Sequence, residues 1–311
     1  MSRGAIGGVL GVLVSAGCVS PVDQPSNVHD LRVLGVSVEV PELMAPACDP
    51  NDPQFIATAV TPLRYTALIA DPNGAGRSIS YDLSACANTT DTTCSTASET
   101  VQIAPSGTTA ASNPAVELPL DIVPGAALTA DGTPLLIKVQ QDDPYKGLGG
   151  LRMPLMLHLV AGSEEIYAEK LMVFNCKTYP DMQANQTPHL RGFHLQDVEW
   201  PPGAGVIQHG SGPFHVTADD ISDLEEAYGV RAFDLSEVHL KESWTIAWYT
   251  TLGTFGPDST GGTDFAGQQD PHSTQWTPSA GATEQDVTFW FVVRDGRGGL
   301  SWSTRQLHYI P

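Results

Sequence analysis

The chain has 311 residues, with 35 Asp and Glu against 15 Lys and Arg, for a formal net charge of −20 at pH 7. That balance repels phosphate backbones and excludes nucleic acid as an expected partner. With 41% hydrophobic residues the chain can bury a core, and the roughly 290 residues beyond its amino-terminal apolar run suggest two domains.

Residues 5–14 are apolar or glycine, follow a single positive residue, Arg3, and run into Ser15, Ala16 and Gly17. This is the layout of a signal peptide over residues 1–17, and it is too short for a spanning helix of about 20 residues. The stretch VSAGC, ending at Cys18, resembles the lipobox of bacterial lipoproteins, with Ser15 where that family usually has Leu. The resemblance implies cleavage before Cys18, a diacylglycerol on its thiol and an acylated new amino terminus. By analogy with lipoprotein sorting, Val19 in place of Asp points to the outer membrane, facing the periplasm or the cell surface. Residues 18–27 then form a lipidated tether, and its Pro-rich part, residues 20–27, reaches only about 25 Å when extended.

The next segment, residues 28–178, reads as a β domain. DLRVLGVSVEV carries apolar residues on both faces, as a strand covered on both sides would. RYTALIA, SISYDLSAC, PLLIKVQQ, RMPLMLHLVAG and EEIYAEKLMVFNC follow as strands, punctuated by DPNGAGR and DDPYKGLGG. The Thr/Ser/Ala-rich residues 88–114 read as a loop. Setting Cys18 aside leaves four cysteines, an even set that suits an oxidising compartment. Four cysteines permit three pairings; the short spacing favours Cys86 with Cys94, which leaves Cys48 with Cys176.

Residues 179–188, with Pro180 and Pro188, read as a linker, and residues 189–311 as a second domain. TADDISDLEEAYG carries a helix signature: Thr217 as cap, Ile221, Leu224 and Tyr228 on one face, Gly229 as terminator. KESWTIAWYTTLGTF and VTFWFVVRDGRGGLSWSTRQLHYI read as strong strands, with RDGRGG as a hairpin turn, and Trp244, Trp248 and Trp290 are expected inside a sandwich. WYTTLGTF, WTP (Trp276 to Pro278) and VVRDGRGG together resemble a PKD-type immunoglobulin-like domain across roughly the last seventy residues. LRVLGVSVEVPELMAP with TALIADPNG is more weakly similar to immunoglobulin-like modules of myxobacterial-type lipoproteins. The expected fold is all-β: two immunoglobulin-like antiparallel sandwiches, with a short helix inserted in the second.

No G-x-S-x-G, H-E-x-x-H, C-x-x-C or G-x-x-x-x-G-K-[ST] occurs, which lowers the expectation of an enzyme. His189 and His194, five apart in an extended segment, face opposite sides. His209 and His215 flank the turn GSGP and could meet across a hairpin as two zinc ligands of a hydrolase. Asp258, Asp264 and Asp270 are weak calcium candidates because they lack alternate-residue spacing. Trp200 and Trp302 are the candidate surface aromatics for a sugar. The resulting expectation is a non-catalytic, cofactor-free envelope module, held to a membrane by its lipid and meeting other envelope proteins or glycans. The alternatives are a carbohydrate-binding or adhesion module and a metal-dependent hydrolase.

Overall fold

The computed structural model describes residues 25–49, 52–87, 94, 99–112, 114–145, 147–203, 205–232, 234, 236–262 and 272–311. Cys18, Asp264 and Asp270 lie outside these residues.

The first unit contains strands β1 (Arg32–Val38), β2 (Glu42–Ala45), β3 (Leu63–Ala70), β4 (Ser78–Cys86), β5 (Thr100–Ala110), β6 (Ala115–Ile122), β7 (Leu151–Ala161) and β8 (Glu164–Cys176). Helix α1 (Pro53–Ala59) lies between β2 and β3, and α2 (Leu135–Asp142) between β6 and β7. The strands form two sheets, ordered β1-β3-β6 and β2-β8-β7-β4-β5. Alternating residues, among them Tyr65, Ala67 and Ile69 on β3 and Leu155, Leu157 and Leu159 on β7, close one core between the sheets.

The second unit contains β9 (Phe193–Leu195), β10 (Val198–Glu199), β11 (Val206–His209), β12 (Phe214–Ala218), β13 (Ala227–Arg231), β14 (Glu237–Lys241), β15 (Thr245–Thr250), β16 (Thr254–Gly256), β17 (Ser259–Gly261), β18 (Ser273–Thr277), β19 (Gln285–Arg294) and β20 (Leu300–Ile310). Its sheets are β10-β9-β12-β18-β16 and β11-β20-β19-β15-β17, with β13-β14 as a separate hairpin. Phe289 and Phe291, Trp248 and Trp276 meet edge-on or tilted in its core.

Both units have immunoglobulin-like topology. In the second, β9-β12-β18-β16 matches the A-B-E-D sheet and β20-β19-β15 the G-F-C sheet, and Trp248 on the C-equivalent strand is fully buried. The first repeats the plan as β1-β3-β6 against β8-β7-β4-β5. Among the named strands pairing is antiparallel apart from two short edge strands, β2 beside β8 and β11 beside β20, which run parallel. Two disulfides, Cys48–Cys176 and Cys86–Cys94, staple the first unit.

Three local expectations are corrected. PLLIKVQQ is helical, because Leu135 and Val139, four apart, both reach the core while Ile137 faces out; a strand would have put all three on one side. Part of the presumed loop between residues 88 and 114 is the strand β5, paired along β4. The helix expected in TADDISDLEEAYG is absent. Thr217 and Ala218 continue β12, and the Asp220 carboxylate accepts the Ser222 N–H at 2.9 Å in a turn. Residues 227–231 then pair with β14. Ladder hydrogen bonds satisfy that backbone better than one isolated helical turn, whose nucleation is unfavourable.

Candidate functional site

The outer face of the β1-β3-β6 sheet packs against the outer face of β19-β20. Val28, Leu34, Leu68 and Ala70 from the first unit meet Trp290, Val292 and Leu300 from the second in one buried cluster. β1 serves both sides because a bulge between Val33 and Gly35 turns Leu34 to the junction, while Val36 and Val38, which simple alternation would place on the same face as Leu34, serve the first core. It also corrects the placement of Trp290, which is buried between the sandwiches instead of inside the second one. Gly35 makes the close approach possible, since a Cβ there would lie 2.9 Å from Leu300 Cδ2 and 3.4 Å from Val292 Cγ1.

The segment before β1 joins the same junction. Ser26 is fully buried; its carbonyl accepts the Thr250 N–H and its hydroxyl the Phe255 N–H, at 2.8 and 3.0 Å. The Val28 N–H returns a bond to the Thr250 carbonyl at 2.8 Å. The last residues of the expected tether are therefore docked on the second sandwich.

Beside the apolar contact lies a polar clamp built on the turn RDGRGG. The Asp295 carboxylate accepts the N–H groups of Arg297, Gly298 and Gly299 and the side-chain amide of Asn185, which holds the turn in one shape. Arg297 projects from it toward three carboxylates, Glu42 at 3.3 Å, Glu226 at 3.2 Å and Glu242 at 3.1 Å. Its guanidinium also stands 4.1 Å from the Tyr228 ring centre. Glu42, on β2, further accepts the Asn175 side-chain amide and the Asn185 N–H, both at 2.8 Å. One carboxylate thus joins the first sandwich, the linker and the second sandwich. The linker is correspondingly not free: Asn185 is buried, and the Thr187 hydroxyl donates to the Glu39 carbonyl at 3.3 Å.

The clamp shifts two ionisations. Burial raises the Glu226 carboxyl above its ordinary value, and the neighbouring Glu242 adds to the effect. Burial pushes the Lys170 ammonium down to about 8, against the pull of Asp295 and with the help of Arg294. Lys170 donates to the Gly298 carbonyl across the junction.

A cleft of about 740 Å³ opens between β1, β8, the β13-β14 hairpin and the RDGRGG turn. Its lining includes Arg152, Lys170, Arg231, Arg294 and Arg297. Among the described residues the acidic members of that lining are Glu42 and Glu169, while Glu226, Glu242 and Asp295 act on its cations from just outside it. Among the described residues Arg152 has no ion pair, while Arg294 and Arg231 donate to the carbonyls of Leu34 and Thr178 at 3.4 and 3.5 Å.

The residues singled out in the sequence lie elsewhere. Trp200 is not a surface aromatic: it is 1% exposed, packs edge-on against Phe289 and donates to the Gln306 carbonyl at 3.3 Å. Trp302 is half-buried against the junction, and its indole N–H donates to Glu117 of the first sandwich at 2.8 Å. His209 on β11 and His215 on β12 belong to opposite sheets and do not meet across a hairpin; His215 sits 3.7 Å from Asp197. His194 lies 3.3 Å from Asp219. Asp258 contributes its carbonyl to the Trp248 N–H at 2.9 Å. Among the described residues no group of three or more His, Cys, Asp or Glu is arranged to hold a metal ion.

Sequence reading treated RDGRGG only as a turn and missed the clamp. The usable local signal was limited to Arg294, which closes the apolar strand VTFWFVV; Glu242 lies between Lys241 and Ser243, and Arg297 between two glycines.

No family model and no curated protein matches the chain. Among solved structures it has a slight likeness to the periplasmic chaperone SfaE, at 10% identity over 89% of this chain and 99% of that one, with a TM-score of 0.25. Similar values hold for dimeric latent PorU from Porphyromonas gingivalis: 10% identity, 91% of this chain, 24% of that one, TM-score 0.22. A chimeric titin Z1Z2 tandem gives 6% identity, 90% of this chain, 98% of that one and a TM-score of 0.20. At these scores the fold assignment rests on the strand topology described above.

Proposed function

We propose that the protein is an exported, lipid-anchored, non-catalytic envelope module that offers the cleft between two locked sandwiches to an envelope partner. The observation that carries the reading is the clamp. Two domains joined by a buried apolar cluster, a four-carboxylate polar network and a docked amino-terminal segment hold one cleft shape without a ligand. A preformed concavity lowers the ordering cost that binding would otherwise incur.

The cellular address is supported by cysteine arithmetic. The four cysteines after Cys18 are all paired, which leaves Cys18 as the odd thiol of an otherwise oxidised set. If Cys18 carries acyl chains, only residues 19–25 separate it from the buried Ser26, so the sandwiches stay within about 25 Å of the bilayer. The burial of Trp200 and the junction contact of Trp302 remove the observation that would have favoured a flat sugar platform.

The test is the intact mass of protein extracted with detergent from its native membrane, with and without reduction and alkylation. Cleavage before Cys18, added acyl mass and four thiols released only by reductant are expected. A lipid-free mass with an alkylatable Cys18 would overturn the anchored reading.

A further inference from the structure

The cleft has a chemistry that the envelope-module reading leaves unspecified. We infer that it binds a multiply charged phosphate-bearing anion, held by Arg152, Arg231, Arg294 and Lys170 at the seam between the two sandwiches. The inference rests on the reading of the cleft as a partner-binding surface and adds the chemical class of what enters it.

Three independent features point the same way. The first is charge placement: among the described residues the lining gathers five cations, and the carboxylates near them, Glu42, Glu226, Glu242 and Asp295, are gathered on the clamp side around Arg297 and Lys170. Arg297 is more than neutralised by its three carboxylates and Lys170 lies in the field of Asp295, so the cations without a carboxylate contact among the described residues are Arg152, Arg231 and Arg294. A cleft with low-dielectric walls concentrates the field of such a group and raises the local concentration of anions.

The second is the pairing of these cations. Arg152 has no carboxylate partner among the described residues, and Arg294 and Arg231 reach only backbone carbonyls at 3.4 and 3.5 Å. Carbonyl contacts of that length leave most of each guanidinium fork open, and the fork geometry matches phosphate oxygens. Lys170, 7% exposed, is disfavoured as an ammonium first by burial, an effect that Asp295 opposes and Arg294 reinforces. An anion beside the two cations would offset the burial penalty on Lys170.

The third is the fit of the wall. Gly149, at φ +76°, lets the Arg152 guanidinium lie against its backbone, because a Cβ there would meet Arg152 Nη2 at 3.3 Å. Val33, Val36, Leu171 and Val173 supply apolar sides to the same cleft. A volume of about 740 Å³ lies within the ordinary range of small-molecule sites and exceeds what one inorganic phosphate needs. The same phosphate chemistry could come from a soluble ester or from a lipid headgroup whose chains follow the apolar wall.

The test uses the chain with Cys18→Ala, which has no acyl anchor to insert into vesicles, so its result is independent of the lipidation experiment. Titration calorimetry with inorganic pyrophosphate in 50 mM salt is expected to show one saturable site, weakened several-fold in 200 mM salt. Adding Arg152→Ser and Arg231→Ser, two substitutions outside the clamp, is expected to weaken it at least tenfold without changing the melting temperature. Flotation with phosphatidylglycerol vesicles against phosphatidylcholine vesicles separates the sources: selective, arginine-dependent capture assigns a lipid headgroup, whereas saturable pyrophosphate binding without capture assigns a soluble phosphate. Absence of saturable pyrophosphate binding, or binding unchanged by the double substitution, overturns the inference and leaves the anchored-module reading to its own mass measurement.

Discussion

Removing the Glu42 carboxylate should uncouple the two sandwiches. In Glu42→Ala the Asn185 N–H and the Asn175 side-chain amide each lose an acceptor at 2.8 Å, and Arg297 loses one of three carboxylates. Glu42 is 7% exposed, so water does not replace these bonds. A buried donor left unpaired costs about 1–3 kcal/mol. Arg297 keeps Glu226 and Glu242, so its share is small; the two donors together give about 2–6 kcal/mol, centred on the range of about 3–5 kcal/mol for breaking a buried charged contact. The Cys48–Cys176 disulfide keeps β2 beside β8, so the loss is confined to the junction. The assay exploits an asymmetry: all six Trp residues lie at position 200 or beyond, in the second sandwich. Urea unfolding followed by tryptophan fluorescence therefore reports on a domain that does not contain Glu42. The expected result is a tryptophan-monitored stability lower by about 3–5 kcal/mol, with a transition that no longer coincides with the one seen by far-ultraviolet circular dichroism. A tryptophan-monitored midpoint unchanged from the parent protein would refute the coupling, whatever happened to the first sandwich.

Other consequences follow from the same geometry. Gly35→Val should cost about 2–3 kcal/mol by wedging methyl groups against Leu300, Val292 and Trp302, read as a loss in thermal midpoint that Gly76→Val, where a Cβ would meet nothing, reproduces only through its left-handed backbone. Loss of the disulfide with sequence separation 128 should cost about 5 kcal/mol and loss of the one with separation 8 about 2.5 kcal/mol in the chain-entropy picture, so Cys48→Ala/Cys176→Ala should lower the urea midpoint roughly twice as far as Cys86→Ala/Cys94→Ala. Lys170, lowered from 10.5 to about 8 by burial, releases its proton earlier in the folded chain than in the unfolded one. Stability should therefore rise with pH between about 8 and 10.5, by about 3 kcal/mol relative to Lys170→Met; parallel curves for the two proteins across that window would contradict the assignment. Glu226, raised by burial and Glu242, contributes in the opposite sense: its stabilising protonation is complete below the ordinary carboxyl range and lost as pH rises through the raised value. Glu226→Gln should accordingly remove a fall in stability on going from acid toward neutral pH, measured by urea titration at several pH values.

What the sequence determined by itself was set by short-range periodicity and by counting. Alternation in β3, β7 and β19 marked the strands, because side-chain direction in a regular strand follows the parity of position; the apolar residues on both faces of β1 announced a second surface packed against it, but the bulge that sends Leu34 away from Val36 and Val38 came only with the structure. The parity of the cysteines separated Cys18 from two disulfides. Where several elements compete for one segment, local pattern failed: PLLIKVQQ has strand composition but helical contacts, and TADDISDLEEAYG has helix signals but hairpin partners. Trp200 looked exposed beside two prolines, yet the second core closes over it. The clamp was invisible for a stronger reason. Glu42 and Arg297 are 255 residues apart, and neither carries a local pattern that names the other. Only the docking of one sandwich's outer face on the other brings Glu42, Asn185, Glu226, Glu242 and Arg297 within hydrogen-bond reach, and a charge finds its buried partner through that packing, not through its neighbours in the chain.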